Sequence, residues 1–209
     1  MQKFLSLLLL FVAAVAHGSD EPTILIFGDS LSAGYGMESD QSWAALLQER
    51  LASLGYEHRV INASITGETS EGGVTRIAGA LERFAPSLLI LELGGNDGLR
   101  AFPPARLEEN LSKIVAAGLA SGAEVVLLGI RIPPNYGPRY TAEFEAVFGD
   151  VAETQGIRWI EFFMDGVALN PELMQDDGIH PNAAAQPKLL DNAWPIIEDA
   201  LAASGDTAD

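Results

Sequence analysis

The chain has 209 residues, of which 48% are hydrophobic and 20% are charged, a composition typical of a folded globular protein with one domain as the default. Its 12 Lys and Arg against 29 Asp and Glu give a formal net charge of −17, which excludes an electrostatic nucleic-acid interface and disfavours docking on anionic lipid. The absence of Cys excludes disulfides, Cys-based zinc sites and thiol catalysis.

The first residues have the pattern of a secretory signal peptide. Lys3 gives a positive start, an apolar run extends from Phe4 to Ala16, and Ala14-Val15-Ala16 is an A-x-A cleavage site. The run is shorter than the roughly 20 residues that span a bilayer, although a membrane anchor or a buried N-terminal helix is the alternative. We expect cleavage after Ala16, which leaves residues 17–209 as a single exported domain with a polar tail from about Ser204.

Short apolar runs alternate with helical patterns along the rest of the chain. The runs predict five strands, at Thr23–Phe27, Arg59–Ala63, Ser87–Leu93, Glu124–Ile130 and Arg158–Glu161. The intervening patterns predict five helices: one capped by Ser42 and stopped at Gly55, one over Glu71–Phe84, one introduced by Pro103-Pro104, one over Arg139–Thr154, and one over Ala183–Ala202 that is interrupted near Pro195. Two of them have apolar faces, made of Trp43, Leu46, Leu47, Leu51 and Leu54 in the first and Leu107, Leu111, Ile114, Val115 and Leu119 in the third.

Five strands separated by helices predict an α/β fold, in which a parallel sheet carries helices on both faces. The strands are continuous apolar runs, as expected for a sheet that is buried on both faces. Ligands in such folds bind beyond the carboxyl ends of the strands. We therefore expect the chemistry in the loops after the first three strands and in the loop before the last helix.

Those four loops carry the polar residues of an acyl-transfer site. The segments are Gly28-Asp29-Ser30-Leu31-Ser32, Asn62-Ala63-Ser64-Ile65-Thr66-Gly67-Glu68-Thr69, Gly94-Gly95-Asn96-Asp97 and Asp176-Asp177-Gly178-Ile179-His180-Pro181. Each alone has the composition of an ordinary turn or helix cap. Together they hold a hydroxyl, an imidazole, carboxylates and an amide, which are the groups that acyl transfer needs.

His180 is the candidate base. Of the three His residues, His17 lies at the cleavage junction, and His58 is interpreted as a solvated surface residue before the second strand. Ser30, at a strand end, is the candidate nucleophile. Asp177 precedes His180 by one helical turn, so we expect it to bind one imidazole nitrogen and leave the other free to deprotonate Ser30.

The same loops offer donors for the oxyanion that forms during acyl transfer. Gly67 permits close approach of its backbone N–H, Asn96 offers a side-chain amide, and Ser30 offers its own N–H. Removal of one such donor typically lowers kcat by about 10²–10³, so these residues matter nearly as much as the base and the nucleophile.

The four segments, in this order and on this strand–helix pattern, resemble the GDSL or SGNH hydrolase superfamily, which is named for a Ser, a Gly, an Asn and a His in four blocks. Within it, the chain is similar to the exported bacterial thioesterase I group, also called lysophospholipase or arylesterase. The resemblance covers about residues 23–201. The stretches that carry it are Phe27-Gly-Asp-Ser-Leu-Ser-Ala-Gly-Tyr35, Asn62-Ala-Ser-Ile-Thr-Gly-Glu-Thr69, Glu92-Leu-Gly-Gly-Asn-Asp-Gly-Leu-Arg100 and Asp177-Gly-Ile-His-Pro181.

The resemblance implies a three-layer α/β/α sandwich of flavodoxin-like type with activity on acyl esters and thioesters. It also implies a small-molecule substrate, no metal or other cofactor, and a monomer. The implied site consists of a triad of Ser30, Asp177 and His180 with an oxyanion hole of Ser30, Gly67 and Asn96. Asp176 adjoins Asp177, and the family spacing of three residues before His favours Asp177 as the acid.

The loop Arg131–Tyr140 follows the fourth strand at the same sheet edge and contains three prolines. Its simplest interpretation is a rigid connection. In the resembling group this loop lies along the acyl chain, which makes Pro134 and Tyr136 candidates for a substrate groove. Leu99 to Phe102 is a second candidate segment.

Two other functions stay open from the sequence. A metal-dependent phosphoesterase would use residue types that the loops contain, namely Asp29, Asn96, Asp97 and His180, although the chain offers a single plausible His and no Cys. An exported solute-binding protein without catalysis is the other, because fold alone does not fix function. Export favours lysophospholipids and short or aryl esters over cytosolic acyl-CoA, and the resemblance favours a Gram-negative periplasm, with the medium as the alternative.

Overall fold

The computed structural model describes residues 21–205, so the expected signal peptide over residues 1–16 and the end of the polar tail lie outside the described residues. Within this range one parallel sheet is formed by β1 (Thr23–Gly28), β2 (Arg59–Asn62), β3 (Leu88–Glu92), β4 (Glu124–Leu128) and β5 (Arg158–Ile160). The strand order is β2-β1-β3-β4-β5, which confirms the predicted flavodoxin-like α/β fold with a five-stranded parallel sheet.

Seven α-helices connect and follow these strands in the described part of the chain. They are α1 (Ser30–Ala33), α2 (Trp43–Ser53), α3 (Ser70–Phe84), α4 (Gly95–Leu99), α5 (Pro104–Ala120), α6 (Pro138–Gln155) and α7 (Gln186–Ala203). Across residues 21–205, none of the helices combines the length and the apolar character needed to cross a membrane.

Helices cover both faces of the sheet and form the expected three-layer α/β/α sandwich. Side chains alternate along β1, so Ile24 and Ile26 pack with α2 and α7, whereas Leu25 and Phe27 pack with α3, α5 and α6. All six residues of β1 are buried, as expected for a central strand that is covered on both faces.

The helix ends follow local signals in the sequence. The Ser42 hydroxyl accepts a hydrogen bond from the Ala45 N–H at 3.3 Å, so Ser42 caps α2 as predicted. The helix α3 ends at Ala85, whose φ of 40° is left-handed, directly before Pro86, which cannot continue a helix. The helix α6 ends at Gly156 with a φ of 68°, the usual left-handed glycine stop.

The predicted interruption of the last helix at Pro195 is wrong. The helix α7 runs through Pro195, which removes one backbone donor from the helix. Apolar residues on both sides of the proline are buried: Leu189, Leu190, Ala193, Ile196, Ile197, Ala200 and Leu201. Packing against the sheet therefore keeps this helix continuous despite the local penalty.

Two leucines that helical spacing assigns to buried faces are exposed. Leu54 is 43% exposed and lies just beyond the last residue of α2. Leu119 is 40% exposed, because its neighbour Gly118 occupies the position against the sheet. A Cβ on Gly118 would lie 2.8 Å from a methyl group of Leu89, so α5 approaches the sheet closely only because this residue is glycine.

His58 is buried, contrary to the expectation that it is a solvated surface residue. The Gln48 side chain in α2 donates to the His58 carbonyl at 3.0 Å and accepts from the Val60 N–H at 2.7 Å, which holds this segment beneath the helix. The Tyr56 ring lies against His58 with ring centroids 6.0 Å apart. Because His58 precedes β2, it lies at the opposite end of the strands from the four loops.

The loops after β1 and β3 contain short helices that the sequence patterns did not predict. Ser30 is the first residue of α1, and Asn96 is the second residue of α4. Both helices begin within three residues of the last residue of their strand, so both residues lie at the carboxyl edge of the sheet.

Candidate active site

The turn that carries Ser30 is fixed on both sides. Asp29 is the N-cap of α1, and its carboxylate accepts from the Leu31 N–H at 3.1 Å. Directly before it, a Cβ on Gly28 would lie 2.7 Å from a carboxyl oxygen of Glu92. Glycine at this position therefore lets the turn pack directly on the end of β3. Ser30 itself is 8% exposed, so its hydroxyl lies in a largely enclosed position.

The hydroxyl of Ser30, the imidazole of His180 and the carboxylate of Asp177 form one hydrogen-bonded chain. His180 Nε2 lies 2.8 Å from Ser30 Oγ, and His180 Nδ1 lies 2.6 Å from Asp177 Oδ2. The other carboxylate oxygen accepts the backbone N–H groups of Ile179 and His180, both at 2.9 Å. It is thus Asp177, rather than Asp176, that contacts the imidazole. Hydrogen bonds from the His180 backbone and from its ring lower the pKa of Asp177 to about 2.

Hydrogen bonds from Gln175 hold the segment that carries His180 in place. The side-chain amide of this glutamine donates to the carbonyl of Tyr35 at 2.7 Å and to that of Pro181 at 3.0 Å, and its backbone N–H donates to the His180 carbonyl at 2.8 Å. The Tyr35 ring packs on His180 with centroids 4.4 Å apart. Sequence reasoning missed Gln175, because no local pattern distinguishes it from a surface glutamine.

Gly67 lies in the loop after β2, which is held between the two neighbouring loops. Its φ of 78° falls in the left-handed region that favours glycine. Arg100, at the end of α4, donates to the Gly67 carbonyl at 3.3 Å. On the other side, the Ile65 N–H donates to the Gly28 carbonyl at 3.0 Å. These contacts place the loop of Gly67 beside both the Ser30 turn and α4.

Asn96 is linked to the Ser30 turn through its side chain. Its Nδ2 donates to Asp29 Oδ2 at 3.1 Å, so the amide lies against the residue that directly precedes Ser30. The structure therefore brings Ser30, His180 and Asp177 into direct contact. It brings Asn96 to the same edge through the bond of its side chain to Asp29, and Gly67 through the bond of its carbonyl to Arg100.

A buried polar cluster fixes the helices behind these loops. The Asp97 carboxylate accepts from the Ser70 N–H at 2.8 Å and from the Ser70 hydroxyl at 2.6 Å. The same hydroxyl accepts from Asn110 Nδ2 at 2.9 Å, and all three residues are buried. The cluster ties the first turns of α3 and α4 to α5, and it thereby limits how far Asn96 can move.

Glu92, at the end of β3, is fully buried beneath α1. The Ser32 hydroxyl donates to its carboxyl group at 2.7 Å, and the Asp29 N–H donates to its carbonyl at 3.2 Å. Burial, followed by repulsion from the Asp29 carboxylate, raises the pKa of Glu92 well above its usual value. Burial also raises the pKa of Asp29 to about 6, although hydrogen bonds from Leu31 and Asn96 oppose this shift. Burial and the repulsion from Asp29 thus favour the neutral form of Glu92.

The side chains considered for a metal site are each engaged with protein groups. Asp97 binds Ser70, Asp29 binds Asn96, and both ring nitrogens of His180 are within hydrogen-bond distance of protein oxygens. Within residues 21–205, no three His, Cys, Asp or Glu side chains are grouped so as to hold a metal ion. The geometry gives no support to the phosphoesterase alternative.

Two of the residues expected to form a substrate groove, Tyr136 and Leu99, are in contact. The Tyr136 hydroxyl donates to the Leu99 carbonyl at 2.8 Å, and the Tyr140 hydroxyl donates to the Phe102 carbonyl at 2.7 Å. Pro134 is exposed and opens a short 3₁₀-helix, Pro134–Tyr136. The loop after β4 and the start of α6 are therefore hydrogen-bonded to the end of α4 and to the segment that follows it.

Comparison with known proteins identifies the family. The model of the GDSL-like lipase/acylhydrolase family matches residues 26–186. The chain belongs to this family. Membership confirms the resemblance drawn from the four sequence blocks and the predicted enzyme class, a serine hydrolase of carboxylic esters.

The similarity of this GDSL-family chain to named relatives covers nearly its whole length. It is 49% identical to Esterase TesA of Pseudomonas aeruginosa over 197 residues, which covers 94% of this chain and 96% of that protein. It is 44% identical to an arylesterase of Vibrio mimicus, covering 90% and 93% of the two chains. It is 45% identical to thioesterase 1/protease 1/lysophospholipase L1 of Escherichia coli K12, covering 90% and 87%.

Solved structures agree with the fold of this family member. The crystal structure of TesA matches with a TM-score of 0.84 at 50% identity and covers 86% of this chain and 99% of that chain. The psychrotrophic esterase EstA from Pseudoalteromonas sp., in a structure inhibited by monoethylphosphonate, matches with a TM-score of 0.83 at 42% identity, covering 86% and 98%.

The buried carboxyl of Glu92 makes stability depend on pH. A carboxyl whose pKa is raised by folding stabilises the folded state fully below its usual pKa, and this contribution is lost as the pH rises. We expect Glu92→Gln, which is neutral at every pH, to remove that loss. Between about pH 5 and about pH 8, the free energy of unfolding of the wild type should fall relative to that of the variant.

Urea unfolding of both proteins across this pH range measures the difference. Glu82→Gln, at an exposed position of α3, is the matched control and should follow the wild type. Parallel pH profiles for the wild type and Glu92→Gln would show that folding leaves the ionisation of Glu92 unchanged.

Proposed function

We propose that this GDSL-family hydrolase cleaves acyl esters and thioesters through a covalent acyl-enzyme on Ser30. The observation that carries the proposal is the hydrogen-bonded chain from Ser30 through His180 to Asp177 at the carboxyl edge of the sheet. A hydroxyl, an imidazole and a carboxylate in this order are the parts of an activated serine nucleophile. The names of the relatives support the same reaction class.

In the first half of the reaction, Ser30 Oγ attacks the acyl carbonyl carbon while His180 Nε2 takes the hydroxyl proton. The carbonyl oxygen becomes an oxyanion, which the N–H groups of Ser30 and Gly67 and the amide of Asn96 stabilise. The bond from carbon to the alcohol oxygen or thiol sulfur then breaks. His180 gives its proton to the leaving group, and the acyl group stays on Ser30.

In the second half, water replaces the leaving group. His180 takes a proton from the water, whose oxygen attacks the acyl-enzyme, and the same donors hold the second oxyanion. The carboxylic acid leaves as His180 returns the proton to Ser30. With the pKa of Asp177 at about 2, its carboxylate stays ionised through the mildly acidic range. Any loss of activity at mildly acidic pH therefore has a cause other than protonation of Asp177.

We infer that the natural substrates are small acyl esters met outside the cytoplasm, such as lysophospholipids and aryl or short-chain esters. Arylesterase, thioesterase and lysophospholipase in the relatives' names support this range. The basic start, apolar run and A-x-A site over residues 1–16 support export to the periplasm or the medium. We further propose that residues 17–209 form a single domain that acts as a monomer without a cofactor.

Replacement of Asp177 by Asn tests the proposed triad. The amide would offer an N–H toward His180 Nδ1, which favours the tautomer whose Nε2 carries a proton and cannot accept one from Ser30. We expect kcat on an aryl butyrate to fall by roughly 10³–10⁴-fold with little change in the thermal unfolding midpoint. Steady-state rates and a thermal melt measure both effects.

The neighbouring Asp176→Asn variant is the matched control, because it makes the same change one residue away from the contact. It should keep the wild-type rate within about twofold, since exposed substitutions away from a site have small effects. Wild-type rates should also survive incubation with EDTA. A large loss in Asp176→Asn with none in Asp177→Asn would reassign the acid, and abolition of turnover by EDTA would contradict the metal-free mechanism.

The proposed groove predicts an effect of Tyr136→Ala on acyl-chain preference. Removal of the ring should lower kcat/KM for aryl octanoate relative to aryl acetate by roughly fourfold or more, because each buried CH₂ contributes about 0.8 kcal/mol. Initial rates on a series of aryl esters measure the ranking. Leu169→Ala removes an apolar side chain that is 98% exposed and should leave the ranking unchanged. An unaltered ranking in Tyr136→Ala would reject this groove.

A further inference from the structure

We propose that Asp29 is a positioning residue for the oxyanion hole, which holds the Asn96 amide in the orientation that acyl transfer requires. The proposal rests on the proposed function, in which Asn96 stabilises the oxyanion. The carboxylate of Asp29 is buried directly before Ser30 and takes no part in the Ser–His–Asp chain, and the proposal explains why it is there. Asp29 touches no reacting atom in this scheme and acts through Asn96.

The two carboxylate oxygens of Asp29 have separate partners. Oδ1 accepts the Leu31 N–H at 3.1 Å and caps α1, so it fixes the turn that presents Ser30. Oδ2 accepts from Asn96 Nδ2 at 3.1 Å. A single side chain thus sets the relative placement of the Ser30 turn and the Asn96 amide.

The bond to Asp29 fixes the plane of the Asn96 amide. An amide nitrogen carries two N–H donors. With one of them bound to Asp29, the carboxamide is held against rotation and its second donor remains for an oxyanion. Without that partner, the side chain is free to sample other rotamers or to exchange its oxygen and nitrogen positions. A donor aimed before the reaction begins is the property that makes an oxyanion hole effective.

The protein makes room for this contact and shields it from water. Asp29 is 1% exposed, and burial in a low-dielectric environment strengthens a charge-assisted hydrogen bond. A Cβ on Gly95 would lie 3.1 Å from Asp29 Oδ2, so the glycine before Asn96 admits the carboxylate. Among the neighbouring charged groups, His180 favours the ionised form of Asp29 and Asp97 opposes it. Glu92 also repels the Asp29 carboxylate when both are ionised.

Asp29→Ser separates the two roles of the carboxylate. Serine is an N-cap residue as good as aspartate, so the cap of α1 is retained. The serine side chain is shorter than that of aspartate, and its oxygen accepts the hydrogen bond that caps α1. It therefore does not reach Asn96, and the bond to Asn96 is lost. We expect kcat on an aryl butyrate to fall by about 10²-fold, the loss typical of one oxyanion donor, with KM changed by less than about threefold.

A double-mutant cycle distinguishes positioning from a purely structural role. In an Asn96→Ala background, Asp29→Ser should cost less than about threefold, because no amide remains to be oriented. Asp29→Asn, which has one acceptor oxygen instead of two, is the second variant and should show a smaller loss that also disappears in that background. Thermal melts on all the proteins establish that they are folded.

Two outcomes would overturn the proposal. One is a wild-type kcat for folded Asp29→Ser, and the other is a loss that is equally large with and without Asn96. Ser30→Ala, assayed in parallel, keeps the two hypotheses distinguishable. If Ser30→Ala and Asn96→Ala lose activity but Asp29→Ser does not, only the role of Asp29 fails. If Ser30→Ala retains wild-type turnover, the acyl-enzyme mechanism itself fails.

Discussion

The parallel direction of the strands is the constraint on which the rest of the structure depends. Residues Gly28 and Glu92 are paired in register at the ends of β1 and β3, so the residues that follow them begin side by side. The Ser30 turn and Asn96 therefore lie side by side and are joined through Asp29, although more than sixty residues separate Ser30 from Asn96 in the chain. The loop of Gly67 joins them because β2 pairs with β1 on the other side. His180 reaches this edge from the segment before α7, where it bonds with Ser30.

The edge is built on buried polar groups rather than on apolar packing. Glu92 and Asp29 lie beneath the Ser30 turn, and Asp97 binds Ser70 behind Asn96. Burial of such groups is unfavourable unless hydrogen bonds replace the lost water. Here such bonds satisfy these groups except for Glu92 Oε1, which has no hydrogen-bond partner in residues 21–205. The same bonds connect the three loops to one another, so they also restrict the motion of the candidate donors. An oxyanion hole needs this kind of preorganisation.

The fold was predictable from the sequence because each central strand is a continuous apolar run between helical patterns, and the parallel α/β arrangement follows from that alternation. The four polar blocks pointed to residues that the structure does bring to one edge. Features that depend on tertiary contacts were not predictable. Packing keeps α7 continuous at Pro195, Gln48 holds His58 beneath α2, and Gln175 acts through backbone carbonyls of distant residues. Glu92 did leave a signal, since a carboxyl at the end of an apolar strand is unusual.

A covalent acyl group on Ser30 is the intermediate on which the proposed mechanism depends. Acid quenching of the full chain during turnover of an aryl ester, followed by intact-mass and peptide mass spectrometry, detects it directly. We expect one acyl group on the peptide that contains Ser30, and none on the Ser30→Ala protein. An acyl group on a different residue, or full turnover by Ser30→Ala, would contradict the mechanism.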